Sequence, residues 1–262
     1  MTAASRETKS WIRRFAPADG ATTQLVCLPH AGGSAPFFLP VARALAPHTD
    51  VLAVQYPGRQ DRREEPGIES IPELAEQVTR AIVESADRPV TLFGHSMGAS
   101  VAFEVARRLP GTGVEVLGLI VSGRCAPPCG CVARRKLSTD ENILDEIRRL
   151  SGTDARVLSD EDLVRMILPS LRSDYAAVTA YRAEPGARVP YPVLALIGDA
   201  DPQVPVEDAR AWREHTDSED FELRVFPGGH FYLNDQPEAV IDTVRRHIAR
   251  WSSTAPVPGG VV

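Results

Sequence analysis

Residues 90–98 read VTLFGHSMG. An apolar run that ends in a serine between two glycines has no use as a plain core strand. It suits a chain that must fold back sharply and present one hydroxyl. Gly94-His95-Ser96-Met97-Gly98 is a G-x-S-x-G pattern, and it stands between a strand-like run and the helical stretch 97–109 (MGASVAFEVARRL). Gly94 and Gly98 leave room for the neighbouring strand and helix to pass close by. A helix that opens at the serine turns its free N–H groups and positive end toward developing negative charge.

Outward from this turn, short apolar runs recur at 24–29, 51–57, 116–123, 193–199 and 221–228, and they read as strands. Their near-continuous apolarity, without strict alternation, predicts strands buried on both faces. Helical patterns lie between them at 71–85, 207–215 and 237–250. The first carries a capping box, Ser70-Ile71-Pro72-Glu73, with Leu74, Val78 and Ile82 spaced by four. Alternation of this kind implies an α/β class with a mainly parallel central sheet flanked by helices. It breaks once. About seventy residues separate IVSG (120–123) from VLALIGD (193–199), and they hold two helical patterns, 140–151 and 160–182. So long a stretch is not a bare loop, so a helical lid insertion is expected at about 124–188. The expected organisation is one domain over 11–251, with disordered ends at 1–10 and 252–262.

The chain has 262 residues, 43% of them hydrophobic and 24% charged, and a net charge of −6. That acidity argues against nucleic-acid binding. The N-terminal segment has no apolar signal region and there is no run of about 18 apolar residues, so a cytoplasmic protein without a membrane span is expected. The four cysteines are read as free thiols. Cys125, Cys129 and Cys131 crowd together without a nearby histidine, which leaves a metal site without a fourth ligand.

A serine hydroxyl needs a base. With the nucleophile in such a turn, the partners follow it in the order acid, then histidine. Of the histidines after Ser96, His215 and His247 fall in polar helical patterns and read as exposed. His230 falls in a glycine-rich loop after the last strand (FPGGHFYL) and is the candidate base. The loop ALIGDADPQVP offers Asp199 and Asp201. Asp201 is the candidate acid, and Asp199 reads as a turn cap. Donors for an oxyanion are expected from Met97 N–H and from Ala31 N–H in LPHAGGSAPFF (28–38). His30 could line the pocket or brace that loop.

With PHAGGSAPFF, VQYPGRQDR, GHSMGA, GDADPQVP and FPGGHFYL in this order, the chain resembles the type II thioesterases of polyketide and nonribosomal peptide synthetase pathways, of the α/β-hydrolase fold. The resemblance implies catalytic residues Ser96, Asp201 and His230, and oxyanion donors Ala31 and Met97. It implies hydrolysis of acyl groups from the phosphopantetheine arm of acyl- or peptidyl-carrier proteins by a stand-alone enzyme, with no cofactor or metal; a monomer is the default expectation. Arg59, Arg62, Arg63 and the run Arg134-Arg135-Lys136 are candidate contacts for an acidic carrier. Met166, Leu168, Leu171 and Tyr175 are candidates for setting acyl preference. Rival readings are a product-releasing thioesterase or cyclase, a small-molecule esterase of the same fold, and a non-catalytic binding protein.

Overall fold

In β2 (Thr23–Leu28) every residue is buried, and successive side chains enter different cores. Leu25 and Cys27 join one apolar cluster; Val26 and Leu28 join the other. A strand covered on both faces has no polar side to present, and this is why its sequence does not alternate. The same division holds in β3 (Thr49–Val54), β4 (Val90–His95), β5 (Val116–Ser122) and β6 (Val193–Gly198). The computed structural model describes residues 11–127, 137, 139–152 and 158–254.

A seven-stranded sheet runs β1-β3-β2-β4-β5-β6-β7, where β1 is Ile12–Arg13 and β7 is Phe221–Phe226. All pairs are parallel except β1 with β3. The two-residue β1 escapes pattern reading, because so short an edge strand carries no periodicity of its own. On one face lie α2 (Ile71–Ser85) and α3 (Met97–Arg108); on the other lie α1 (Leu39–Leu45) and α8 (Pro237–Thr254). This is the α/β-hydrolase arrangement. The Ser70 hydroxyl accepts from Glu73 N–H and closes the first turn of α2, as its capping sequence predicts. The 207–215 pattern is two pieces: α6 (Val206–Arg210), then a 3₁₀ turn at Ala211–His215; a single turn, α7 (Tyr232–Asp235), precedes α8. At its other end α8 carries helix through 252–254, the first residues of the tail expected to be disordered.

From β2 the chain moves outward to β3, then returns to the other side of β2 for β4. The loops leaving β2 and β4 therefore diverge at a topological switch point, where open α/β sheets form their ligand crevice. β5 and β6 are neighbours, paired from Leu119↔Val193 to Ser122↔Leu196. Between them in sequence stand α4 (Asp140–Leu150) and α5 (Glu161–Ala180). Ile143, Ile147, Leu171 and Tyr175 form a small apolar cluster of their own, apart from the two sheet cores. Among the described residues no helix is long and apolar enough to cross a membrane.

Candidate active site

Ser96 sits between β4 and α3 with φ 54° and ψ −116°, a conformation that non-glycine residues rarely hold. Its N–H donates to Ser122 O at 2.7 Å, and its C=O accepts from Ala99 N–H at 3.0 Å. The flanking glycines are sterically required. A Cβ on Gly94 would lie 2.1 Å from Gly98 O, and one on Gly98 would lie 2.0 Å from Leu28 O. Strand and helix thus touch backbone to backbone, and the serine between them is forced outward at the sheet's carboxyl edge.

The loop after β7 delivers His230, and the loop after β6 delivers Asp201. His230 Nε2 is 3.0 Å from Ser96 Oγ, and His230 Nδ1 is 2.7 Å from Asp201 Oδ2. Asp201 Oδ1 accepts from the N–H groups of Gln203 (2.8 Å) and Val204 (3.2 Å). A carboxylate only accepts, so Nδ1 carries the ring proton and donates it to Oδ2. Nε2 is then free to accept from the serine hydroxyl. Asp199 Oδ1 accepts from Gly228 N–H at 2.9 Å, so this aspartate ties the loop after β6 to the histidine loop instead of capping its own turn.

Ala31 and Gly32, in the loop after β2, line the same cavity as Ser96, Met97 and His230. Met97 opens α3, so its N–H has no carbonyl one turn back. His30 also lines the cavity. Its ring packs edge-on against Phe37 and Phe231, with centroids 4.7 and 4.8 Å away, and covers the face of Gly33. Beneath it lies His95, fully buried, with Nδ1 2.9 Å from Ser122 Oγ, which in turn is 2.6 Å from Tyr232 Oη. Burial first, and then the nearby His230 charge, depress both imidazoles: His30 to about 3, and His95 well below the ordinary histidine value. Both rings therefore stay neutral near neutral pH, and imidazoles of such low basicity are poor proton acceptors beside His230.

The cavity holds about 140 Å³ and is walled by Ile147 and Leu150 of α4 and by Ile167, Leu171, Tyr175 and Val178 of α5, with Phe231 beside the histidine. Leu171 and Tyr175 were expected here. Met166 is not a wall residue; it is 60% exposed. Leu168 faces an outer groove with Leu144 and Val164. The neighbour Ile167 points inward instead, a choice of helix face that the period alone does not make. Gln203 also lines the cavity, and its Nε2 donates to Glu146 Oε1 of α4 at 3.0 Å, joining that helix to the aspartate loop. Nothing in the sequence singled out Gln203 beyond its place two residues after Asp201.

Several expectations are corrected. Arg59 and Arg62 are each only 6% exposed and are ion-paired to Asp174 and Glu65, so neither is a surface contact for a carrier. Arg63 is exposed; Arg134, Arg135 and Lys136 lie outside the described residues. His247 is buried, bonded to Thr243 O and Glu222, and His215 is half-buried against Ala187 O. Cys27 is a free, buried thiol, but Cys125 is disulfide-bonded; Cys129 and Cys131 lie outside the described residues.

The family model for the thioesterase domain matches residues 23–248. The thioesterase PikA5 of Streptomyces venezuelae is 50% identical over 240 residues, which cover 91% of this chain and 85% of that protein. The solved structure of BorB, a type II thioesterase from the borrelidin biosynthetic cluster, is 50% identical. It superposes with a TM-score of 0.82, covering 91% of this chain and 98% of its own. RedJ, a thioesterase from the prodiginine pathway in Streptomyces coelicolor, is 34% identical with a TM-score of 0.79, and 88% of each chain is covered.

Proposed function

The chain belongs to the thioesterase family and is therefore a hydrolase of thioesters, and from that premise we propose that it removes stalled or wrong acyl groups from the phosphopantetheine arm of carrier proteins in polyketide or nonribosomal peptide assembly. The observation that carries the reading is the line Ser96–His230–Asp201 at the floor of an apolar cavity. Ser96 Oγ attacks the thioester carbonyl as its proton passes to His230 Nε2. Ala31 and Met97 N–H groups hold the oxyanion. The pantetheine sulfur leaves with the proton from His230 as a thiol. Water then attacks the acyl-serine, giving its proton to His230, and collapse returns that proton to Ser96 and releases a carboxylic acid.

The test is hydrolysis of a panel of acyl-carrier proteins beside matched simple esters, with Ser96→Ala as the blank. Release of acyl groups from the carrier that Ser96→Ala abolishes supports the reading. Turnover of the esters alone would leave a small-molecule esterase and remove the carrier role.

The cavity is close to the roughly 150 Å³ of an apolar void that admits one benzene. Short acyl groups, up to about six carbons, are the expected substrates. Ile167→Trp fills the wall, and one methylene of fit is worth about 1–3 kcal/mol. This variant should lower kcat/KM for hexanoyl substrate about 10-fold to 200-fold while leaving acetyl within about threefold. Equal losses for both chain lengths would show that Ile167 does not measure the acyl chain.

A further inference from the structure

Asp174, in the middle of α5, is 1% exposed and binds two partners at once. Its carboxylate takes the guanidinium fork of Arg59, with Nη1 at 2.7 Å from Oδ2 and Nη2 at 2.8 Å from Oδ1. Oδ2 also accepts from Gly32 N–H at 2.7 Å, and Arg59 Nη1 donates to Gly33 O at 3.1 Å. The pair therefore grips the Ala31–Gly32 and Gly33–Ser34 peptide groups. One turn earlier on the same helix face, Leu171 presses on Gly32. Gly32 has φ +74°, and a Cβ there would lie 2.5 Å from Leu171 Cδ2. A helix of the β5–β6 insertion thus holds, through a buried charge, the loop that aims one oxyanion donor.

The geometry points to Asp174 as a positioning residue: by accepting from Gly32 N–H it fixes the direction of the adjacent Ala31 N–H, so the oxyanion site is complete only when α5 is seated. This rests on the reading of Ala31 and Met97 as the donors. It makes the insertion a condition of chemistry as well as a cover. A misplacement of about 1 Å can cost about 100-fold in rate.

Removing one partner of a buried pair leaves the other charge stranded, and such a variant can unfold for that reason alone. Two double variants avoid this. Arg59→Met with Asp174→Asn keeps an amide oxygen for Gly32 N–H; Arg59→Met with Asp174→Leu removes it. Both lose the Arg59 contact to Gly33 O, so their difference isolates the acceptor at position 174. Thermal denaturation establishes that each is folded, and Asp174→Ala replaces the leucine where that one is not. The leucine form should have a kcat about 100-fold below that of the asparagine form, with KM nearly the same in the two. Inhibition by an alkyl boronic acid, whose tetrahedral adduct occupies the oxyanion site, should weaken by the same factor. The pH profile of kcat/KM should not move. Equal kcat in the two folded forms would overturn the proposal and leave Asp174 a purely stabilising group. A parent protein that hydrolyses thioesters but is not inhibited by the boronic acid would instead remove the oxyanion reading on which it rests.

Discussion

Asp201→Asn is expected to lower kcat for thioester hydrolysis by about 10⁴-fold without unfolding the protein. The size follows from hydrogen-bond direction. Gln203 and Val204 N–H groups both point at Oδ1, so an asparagine will place its carbonyl oxygen there. Its NH₂ then occupies the Oδ2 position, 2.7 Å from His230 Nδ1. An amide N–H cannot accept, so Nδ1 must give up its proton and become the acceptor. The proton moves to Nε2, which then faces Ser96 Oγ as a donor and cannot take the serine's proton. Steady-state hydrolysis of an acyl-pantetheine substrate, with circular dichroism as the control for folding, measures the loss. A folded Asp201→Asn variant within about 30-fold of wild type would mean that another group orients His230.

Stability should fall steeply in mild acid, because two buried imidazoles refuse protons that the unfolded chain accepts. In the unfolded state His30 and His95 titrate near 6.5; in the folded state His30 is held down to about 3 and His95 well below its ordinary value. Below the unfolded value the unfolded chain binds more protons, so the folded state loses about 1.4 kcal/mol per pH unit for each such group. Stability is fully present above about pH 6.5 and declines as pH falls from there. The fully buried His95 carries the larger share of this loss, and His30, which shows part of its ring to the cavity, the smaller. Against a usual total of about 5–15 kcal/mol this is a large share. The groups facing the two rings are His230, Ser122, Tyr232, Phe37, Phe231 and, for His30, the Arg59 charge. Urea unfolding at about pH 7 and pH 5 tests this. His95→Gln should flatten the dependence, by at most about 1.4 kcal/mol per pH unit. An unchanged slope would show that His95 takes up its proton in the folded state.

The parts legible in the sequence are those fixed by short-range sterics. The G-x-S-x-G turn announces its strand, its helix and its exposed hydroxyl, because Gly94 and Gly98 must let two backbones meet. Chain order separates His230 from His30 and His48, and its glycine-rich loop separates it from His215 and His247, which fall in helical patterns. The distinction between Asp199 and Asp201 follows from their places in the turn after β6. What stayed hidden depends on contacts between distant segments. Arg59 and Arg62 sit in a run of charges and look like surface, yet Arg59 meets Asp174 115 residues away, and Arg62 lies over the Trp11 ring. His247 looks exposed on a polar helix, yet α8 lays that face toward Glu222. Met166, Ile167 and Leu168 are three apolar neighbours, and only docking of α5 decides that the middle one faces the cavity.

The pairing of β5 with β6 carries one more consequence. The strand residues that flank the insertion, Ser122 and Leu196, are already side by side in the sheet, so the intervening chain is a closed loop on a finished scaffold. Doubling the length of such a loop adds only about 0.6 kcal/mol of closure entropy. The insertion is therefore a cassette: grafts of different length and helix count are cheap for the sheet, and the nucleophile, base and acid all lie outside it. Glu146 of α4 also ties the insertion to Gln203, but the constraint on a transplant that bears on the oxyanion loop is an acceptor returned to Gly32 N–H. Chimaeras that carry foreign helices between β5 and β6 should accordingly fold readily, and they should divide into active and inactive sets by that one hydrogen bond.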